Sequence, residues 1–314
     1  MNFQQLRIIR ETVRHRFNLT EAASALFTSQ SGVSKHIRDL EEELGVDIFM
    51  RRGKRLLGLT EPGKEVLALV EKMLVDAENL VQVAANFSRG DQGTLMLATT
   101  HTQARYTLPP IIAKFRGAFP DVRLSLQQAS PKDLLAILLE GNTDIAIATD
   151  TLDHIPGIVA FPYHTWDHAI VAPHNHPLVN GTPVTLEAIA EWPIITYDDG
   201  LTGRLRIDEA FEAAGLTPNV AMTALDADVI KAYVELGLGV GIIASVAYDS
   251  DHDFKLVRLP SHGLFRQSAS SIAVRRGRYL RRYVYRFIEY CSPTLTESVV
   301  RAAEAGQSID HYDI

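Results

Sequence analysis

Residues 20–45 read TEAASALFTSQSGVSKHIRDLEEELG. Thr20 can cap a short helix, and Glu21 in its first turn suits the positive end of the helix dipole. The small side chains of Ala22, Ala23 and Ala25 let a second helix approach closely. Thr28-Ser29 breaks the chain, and a longer helix follows with Val33, Ile37, Leu40 and Leu44 spaced to face inward until Gly45 ends it. Two helices around a tight break, the second opening on small polar residues, form the pattern of a helix-turn-helix. Upstream, Phe3, Leu6, Ile9 and Val13 recur at helical spacing and supply a preceding helix with one buried stripe.

The exposed face of the longer helix offers Ser29, Gln30, Ser31, Ser34, Lys35 and Arg38. Hydroxyls, an amide and two cations at a helix N-terminus match what base edges and phosphates present in a major groove. The acidic run Glu41-Glu42-Glu43 falls at the other end, directed away from DNA. Beyond Phe49, Arg51, Arg52, Lys54 and Arg55 surround Gly53, and the segment reads as a two-stranded wing whose tip reaches backbone phosphate. Charge distribution agrees. Residues 1–60 carry ten Lys/Arg and seven Asp/Glu, a balance of +3, so in a chain of net charge −7 residues 61–314 carry −10. A basic hairpin alone could be an ordinary surface element; its conjunction with a helix-turn-helix favours DNA as partner.

Residues 1–60 resemble the DNA-binding domain of LysR-type regulators. The resemblance is carried by Ala22-Ala23, Leu26, Ser29-Gln30, Val33-Ser34, Ile37, Leu40-Glu41, Leu44-Gly45, Phe49, Arg51-Arg52 and Leu59-Thr60-Glu61-Pro62-Gly63. It implies a winged helix-turn-helix that binds promoter DNA, with RNA polymerase as a further candidate partner. The family usually has proline after Ser29-Gln30, where this chain has Ser31.

Residues 61–88 read as a linker helix. Val66, Val70, Met73, Ala77, Leu80, Ala84 and Phe87 are separated by 4, 3, 4, 3, 4 and 3 residues, the repeat of a coiled coil. A lone helix of this length is marginal in water, so self-association to a dimer or tetramer is expected. A dimer places two recognition helices on half-sites one DNA turn apart, ~34 Å.

After a hinge at Ser88–Gly93, the pattern alternates strand and helix, which argues for an α/β domain over 93–305 with largely parallel sheets. Two subdomains are expected, one from 93–161 plus 268–305 and the other from 162–267. Ligands in such folds bind beyond the carboxyl ends of strands. Three polar clusters fall there: Thr99–Gln103, Thr149-Asp150-Thr151 and Gly200–Arg204. A threonine at a strand end is often a helix cap; three clusters at matching topological positions favour an oxyanion or a small acylated amino acid.

The same segments resemble the CysB/Cbl-like branch of the LysR-type regulators, through TTHTQARY at 99–106, Gly141-Asn142, Ala146–Thr149, Trp166, Thr202-Gly203-Arg204 and Asp226–Lys231. That resemblance implies a periplasmic-binding-protein-like effector domain, and places Thr100, Thr102, Gln103, Thr149 and Thr202 on the inducer or a sulfate-like anion, with Trp166 in the inducer response. It further implies control of sulfur assimilation and cysteine biosynthesis. The effectors that the resemblance implies are O-acetylserine, N-acetylserine, sulfate, thiosulfate or adenylyl sulfate; a sister group controls sulfonate use under sulfate limitation. The chain departs from the branch in having Phe27 for a common tyrosine and Tyr163-His164-Thr165 before Trp166.

Other signals are set aside. Gly237–Gly241 follows a helix and precedes a strand, the reverse of a dinucleotide loop. His164, His168, His174 and His176 lack helical metal-ligand spacing, Cys291 reads as packing in an amphipathic helix, and Asp226 and Asp228 read as helix starts. No metal, cofactor or catalytic constellation is expected, so the enzyme reading is disfavoured. An oxyanion-binding solute receptor is opposed by the basic wing and the absence of a leader-like N-terminus. With one cysteine and no apolar run of ~18–20 residues, the chain is expected in the cytoplasm, without membrane association.

Overall fold

A computed structural model describes residues 1–53, 55–89, 91–149, 152, 155–180 and 183–307, with only the backbone at Asn86, Ser88, Arg89 and Thr202. The chain divides into two compact units, Met1–Ser88 and Arg89–Ile314.

The first unit runs α1 (Phe3–Arg14), α2 (Leu19–Ala25), α3 (Gln30–Leu44), β1 (Phe49–Arg52), β2 (Arg55–Leu59) and α4 (Glu61–Arg89). Asn2 and Gln5 close α1 with reciprocal cap bonds of 3.0 and 2.9 Å. Asn18, rather than Thr20, caps α2: its side chain accepts from the amides of Thr20 and Glu21 at 3.1 and 3.3 Å. Ser29 caps α3, and Gly45 ends it with φ 72°. Leu6, Ile9, Val33, Ile37 and Leu40 share one core with Val70 and Leu74 of α4, so α4 begins as part of the DNA-binding unit. Leu44 and Phe3, expected inward, are exposed, because Ile48 and Phe49 close the core instead.

The second unit follows as β3 (Gly93–Thr99), α5 (Leu108–Ala118), β4 (Val122–Gln128), α6 (Pro131–Leu139), β5 (Ile145–Thr149), β6 (Ile158–Trp166), β7 (His168–Pro173), α7 (Leu186–Ala190), β8 (Ile194–Tyr197), α8 (Thr202–Ala213), β9 (Val220–Ala224), α9 (Ala227–Glu235), β10 (Val240–Ala244), β11 (Leu256–Leu259), β12 (Ser268–Arg275), α10 (Arg282–Cys291) and α11 (Glu297–Glu304). These build two five-stranded sheets, ordered β4-β3-β5-β12-β6 and β11-β7-β10-β8-β9.

Each sheet is mixed. In the first, β3 pairs parallel with β4 and β5, and β12 pairs antiparallel with β5 and β6. In the second, β8 pairs parallel with β9 and β10, and β7 pairs antiparallel with β10 and β11. The expectation of largely parallel sheets is thus corrected: the strands that carry the chain between sheets, β6, β7, β11 and β12, run antiparallel to their neighbours. The first crossing also lies later than residue 161. Pro162 cannot donate to the ladder, and the register of β6 on β12 shifts between Ser271↔Pro162 and Ser270↔His164, so Tyr163 bulges out. The strand then continues on the first sheet to Trp166, and Asp167 alone separates it from β7.

Separate apolar cores lie in each layer, around Phe115, Ile147, Ile272 and Phe287 on the first sheet and around Ile195, Phe211, Ile230 and Ile242 on the second. Among the described residues, no helix is long and apolar enough to cross a membrane.

Candidate functional site

In the first unit, α3 presents Gln30, Ser31, Lys35 and Arg38 to solvent on one side, with Ser34 half-buried between them. Spacings of three and four residues stack these side chains along one helix face. Ser29 accepts the Gly32 amide at 3.1 Å and lies 3.1 Å from the Ser31 hydroxyl, so its first task is the cap. Arg52 and Arg55 are exposed at the wing. Lys54 falls outside the described residues.

Arg51 is placed differently. Its guanidinium pairs with the Glu41 carboxylate, which also accepts the amides of Ile48 and Phe49 at 2.9 and 3.1 Å. Glu41 is buried and fastens the end of α3 to β1, rather than belonging to a solvated acidic run. This use of Arg51 was not legible from the sequence, where it counted only as a wing cation.

In the second unit, Thr100, Thr102, Thr149 and Trp166 line one cavity of about 300 Å³ between the two sheets. The walls come from the segment after β3, the end of β5, the end of β6 and the start of α8, with Ser130, Tyr197, Leu201 and Gly203 also contributing. Among the described residues, the lining contains no Lys, Arg, Asp or Glu. An occupant therefore meets hydroxyls, the Gln128 amide, the His101 imidazole and apolar surface. Asp150 and Thr151 and the Thr202 side chain lie outside the described residues; the backbone of Thr202 opens α8.

The segment after β3 does not cap a helix with its threonines. Residues Gln103–Thr107 form a single π-helical turn, and Thr102 at its start makes no side-chain cap bond. Such turns are rare and recur at functional sites. Tyr197 packs beside it, with its phenol accepting the Ala244 amide at 2.8 Å. Burial pushes the Tyr197 phenol up to about 12, against the lowering influence of the Ala244 amide and the Thr102 hydroxyl. Gly203 sits where a Cβ would come to 3.0 Å from the Tyr197 ring, so a larger residue there would require the ring to shift by a few tenths of an ångström. Leu201 precedes α8 with no side-chain cap bond, and its carbonyl accepts the Arg204 amide at 3.0 Å.

Gln103 is fully buried beneath the cavity rather than in its lining. Its Nε2 donates to Ser270 Oγ at 2.7 Å, while Tyr163 donates to its Oε1 at 2.9 Å. Trp166 Nε1 donates to the same Ser270 oxygen at 3.2 Å, and Thr149 Oγ1 lies 3.3 Å from it. The bulge at Tyr163 is what turns its hydroxyl toward Gln103. Ser270 had no signal in the sequence: its partners are distant in the chain, and the strand pattern there is read only from Ser271 onward.

Arg204 is not a cavity cation, since it pairs with Asp199 and Asp208 at 3.0 and 2.7 Å. His168 is buried, with Nε2 3.0 Å from the Gly203 carbonyl. His101, Asp226 and Asp228 bring ligand-type atoms within 4.8 Å of one another. Asp226 caps α9, accepting the Val229 amide at 2.9 Å. Asp228 is held by Tyr106 at 2.6 Å, with Arg105 and Lys231 at 3.5 and 3.6 Å. Two cations that close oppose a metal ion, and the trio reads as a structural cluster.

Two family models match the chain. The bacterial regulatory helix-turn-helix protein, lysR family, matches residues 3–64, and the LysR substrate binding domain matches residues 88–296. Among curated relatives, the HTH-type transcriptional regulator SsuR of Burkholderia cenocepacia is 56% identical over 96% of this chain and 97% of its own length. The regulator cbl of Escherichia coli is 48% identical over 100% of this chain and 99% of its own, and the regulator CysB of B. cenocepacia is 48% identical over the full length of both. The solved cofactor-binding domain of the Cbl transcriptional regulator superposes with a TM-score of 0.65 at 44% identity, covering 68% of this chain and 93% of that one. With both halves matched and the whole length shared, the chain belongs to the LysR family of transcriptional regulators, in its CysB/Cbl branch.

Proposed function

We propose that this chain controls genes of sulfur assimilation, and that an oxyanion of sulfur metabolism, bound between the two sheets, sets its activity at promoter DNA. The supporting observation is the cavity: Thr100, Thr102 and Thr149 converge on a space whose described lining residues include no Lys, Arg, Asp or Glu, with His101 the one imidazole among them. Neutral donors suit a permanently ionised oxyanion, which brings its own charge and needs no counter-ion when several hydrogen bonds converge on it. The higher identity to the regulator SsuR, 56%, than to CysB of the same organism, 48%, favours the sister role in sulfonate use. On this reading sulfate or adenylyl sulfate is the effector in preference to an acetylserine.

The DNA-contacting residues are Gln30, Ser31, Ser34, Lys35 and Arg38 on α3, with Arg52 and Lys54 on the wing. The protein acts as a dimer or tetramer through α4, and as a transcription factor works in the cytoplasm.

Calorimetric titration of the full chain with sulfate, adenylyl sulfate, thiosulfate, O-acetylserine and N-acetylserine tests the reading. Preferred binding of sulfate or adenylyl sulfate is expected, and Thr100→Ala should weaken it about ten- to a hundredfold while operator binding is retained. Preference for an acetylserine would transfer the chain to the cysteine-regulator role. Absence of binding by all five would remove the oxyanion reading.

A further inference from the structure

We infer that Arg16 contacts the phosphate backbone of bound DNA, acting with Arg55 across a pocket beside the first turn of α3. The inference rests on the reading that Gln30 and the wing face DNA.

The pocket encloses about 470 Å³. Arg16, Asn18 and Thr20 line it at the junction of α1 and α2, Gln30 at the head of α3, and Arg55 on the wing. Its described lining holds two guanidinium groups and no carboxylate. Glu21, next in the chain after Thr20, is outside the lining and accepts from Asn18 Nδ2 at 2.7 Å. Nearby, Arg10 and Arg14 each pair with Glu11 at 3.2 Å, and Arg51 pairs with Glu41. Arg16 and Arg55 are exposed, and among the described residues neither has a carboxylate partner.

An exposed arginine needs no explanation in itself, but the backbone beneath this one does. Arg16 has φ 50° and Phe17 φ 66°, left-handed conformations in which a Cβ crowds the following carbonyl. Phe17 gains packing in return: its ring meets Phe49 edge-on at 6.2 Å, against the core of the unit. Both amides are bonded, Arg16 to the Val13 carbonyl at 2.9 Å and Phe17 to the Thr12 carbonyl at 2.8 Å, so the turn itself is complete. Arg16 gains no such packing. Glycine or asparagine would hold the same turn more easily, so the fold does not call for an arginine there. Residues kept in sparsely populated conformations cluster at functional sites, and what this one contributes is charge.

The position of the charge names the partner. Gln30 opens the helix read as entering the major groove, Arg55 opens the second strand of the wing, and Arg16 lines the same pocket as both. DNA entered by a recognition helix carries its backbone along both walls of the groove, so cations flanking the head of that helix meet phosphate.

The test titrates the full chain with a fluorescent promoter duplex, selected from random sequence on wild type, and with a scrambled duplex of equal length, across a salt series. Arg16→Gly and Arg55→Ala are each expected to lower the slope of log affinity against log salt by about 0.9 per protomer bound. Phosphates carry no sequence information, so both variants should weaken the two duplexes by the same factor, whereas Gln30→Ala should weaken the promoter duplex more. Arg16→Lys should keep most of the slope, since it keeps the charge. Arg16→Gly is also expected to melt no lower than wild type, because glycine takes φ 50° freely. Arg16→Asn replaces it if glycine loosens the turn. An unchanged slope with normal melting would overturn the inference, as would a loss confined to the promoter duplex. If Arg52→Ala lowers the slope and Arg16→Gly does not, this inference alone falls. If none of Arg16→Gly, Arg52→Ala and Arg55→Ala lowers it, the DNA-facing reading of the wing falls as well.

Discussion

The phenol of Tyr106 donates to the carboxylate of Asp228 across 2.6 Å. Tyr106 belongs to the π-helical turn after β3 on the first sheet, and Asp228 to the first turn of α9 on the second. Burial alone would raise the Asp228 carboxyl, but the Tyr106 hydrogen bond, Lys231 and Arg105 outweigh it and hold its pKa below the ordinary range. Lys231 also lies 5.3 Å from the Tyr106 ring centre and is anchored by Asp253 at 2.9 Å. The turn that begins after Thr102 at the cavity therefore ends in a contact with the element that follows the opposite sheet's β9.

Tyr106→Phe should loosen that contact. Because Asp228 is partly exposed, the expected loss of stability is modest, ~1 kcal/mol. The larger expected effect is on coupling: effector still binds, but the effector-dependent change in operator affinity shrinks. Paired titrations of effector and operator DNA measure both, and an undiminished change would remove Tyr106 from the connection.

Arg51 and Arg52 are neighbours with separable roles. Arg52→Ala should lower the slope of log affinity against log salt by about 0.9, the mark of one lost phosphate contact. Arg51→Ala leaves the buried Glu41 with only the backbone amides of Ile48 and Phe49, and should lower stability by about 1–3 kcal/mol. Operator binding across a salt series, with thermal melts alongside, distinguishes the two. Identical behaviour of both variants would contradict the separation.

Along α4, Met73, Leu80 and Phe87 are exposed at seven-residue intervals, whereas Val70 and Leu74 are buried in the DNA-binding unit. Leu80→Glu should abolish self-association, because a paired leucine contributes about 1.5–3 kcal/mol by burial and a glutamate there opposes its own copy. Sedimentation velocity reads the mass. A variant that keeps the wild-type mass would show that α4 does not pair through this face.

Local periodicity made much of this fold legible. Val33, Ile37 and Leu40 follow the helical repeat and are buried, and Ile194–Tyr197 and Val240–Ala244 are strands where continuous apolar runs predict them. Failures came where a distant partner decides. Glu41 reads as one of three carboxylates directed away from DNA until Ile48, Phe49 and Arg51 return to it. The strand β6 went unread because Pro162 and the bulge at Tyr163 break its alternation. At the cavity, Thr100, Thr102, Thr149 and Trp166 were named from the resemblance and from strand-end position, and they line one space. Ser270, which joins Gln103, Thr149 and Trp166, was invisible, since only the antiparallel return of β12 beside β5 and β6 brings it there.

Glu304, in the last turn of α11, carries the clearest pH signature among the described residues. Burial pushes its carboxyl from the ordinary 4.5 up to about 7, against the lowering influence of the Tyr285 hydrogen bond, Arg301 and Arg276. An acid whose pKa is raised by folding binds its proton more tightly in the folded chain. Stability from this group is therefore full below about pH 4.5, declines as pH rises toward about 7, and stays at the lower level above it. With the side chain partly open to solvent, the decline is expected to be only ~1–2 kcal/mol. Glu304→Gln has no proton to lose and keeps the hydrogen bond with Tyr285, so its melting temperature should exceed that of wild type near pH 8 and converge with it near pH 3.5, both taken as about one unit outside the titration window. Thermal melts of the two proteins across that range measure the difference. A constant offset at every pH would mean that the Glu304 carboxyl does not contribute this pH dependence.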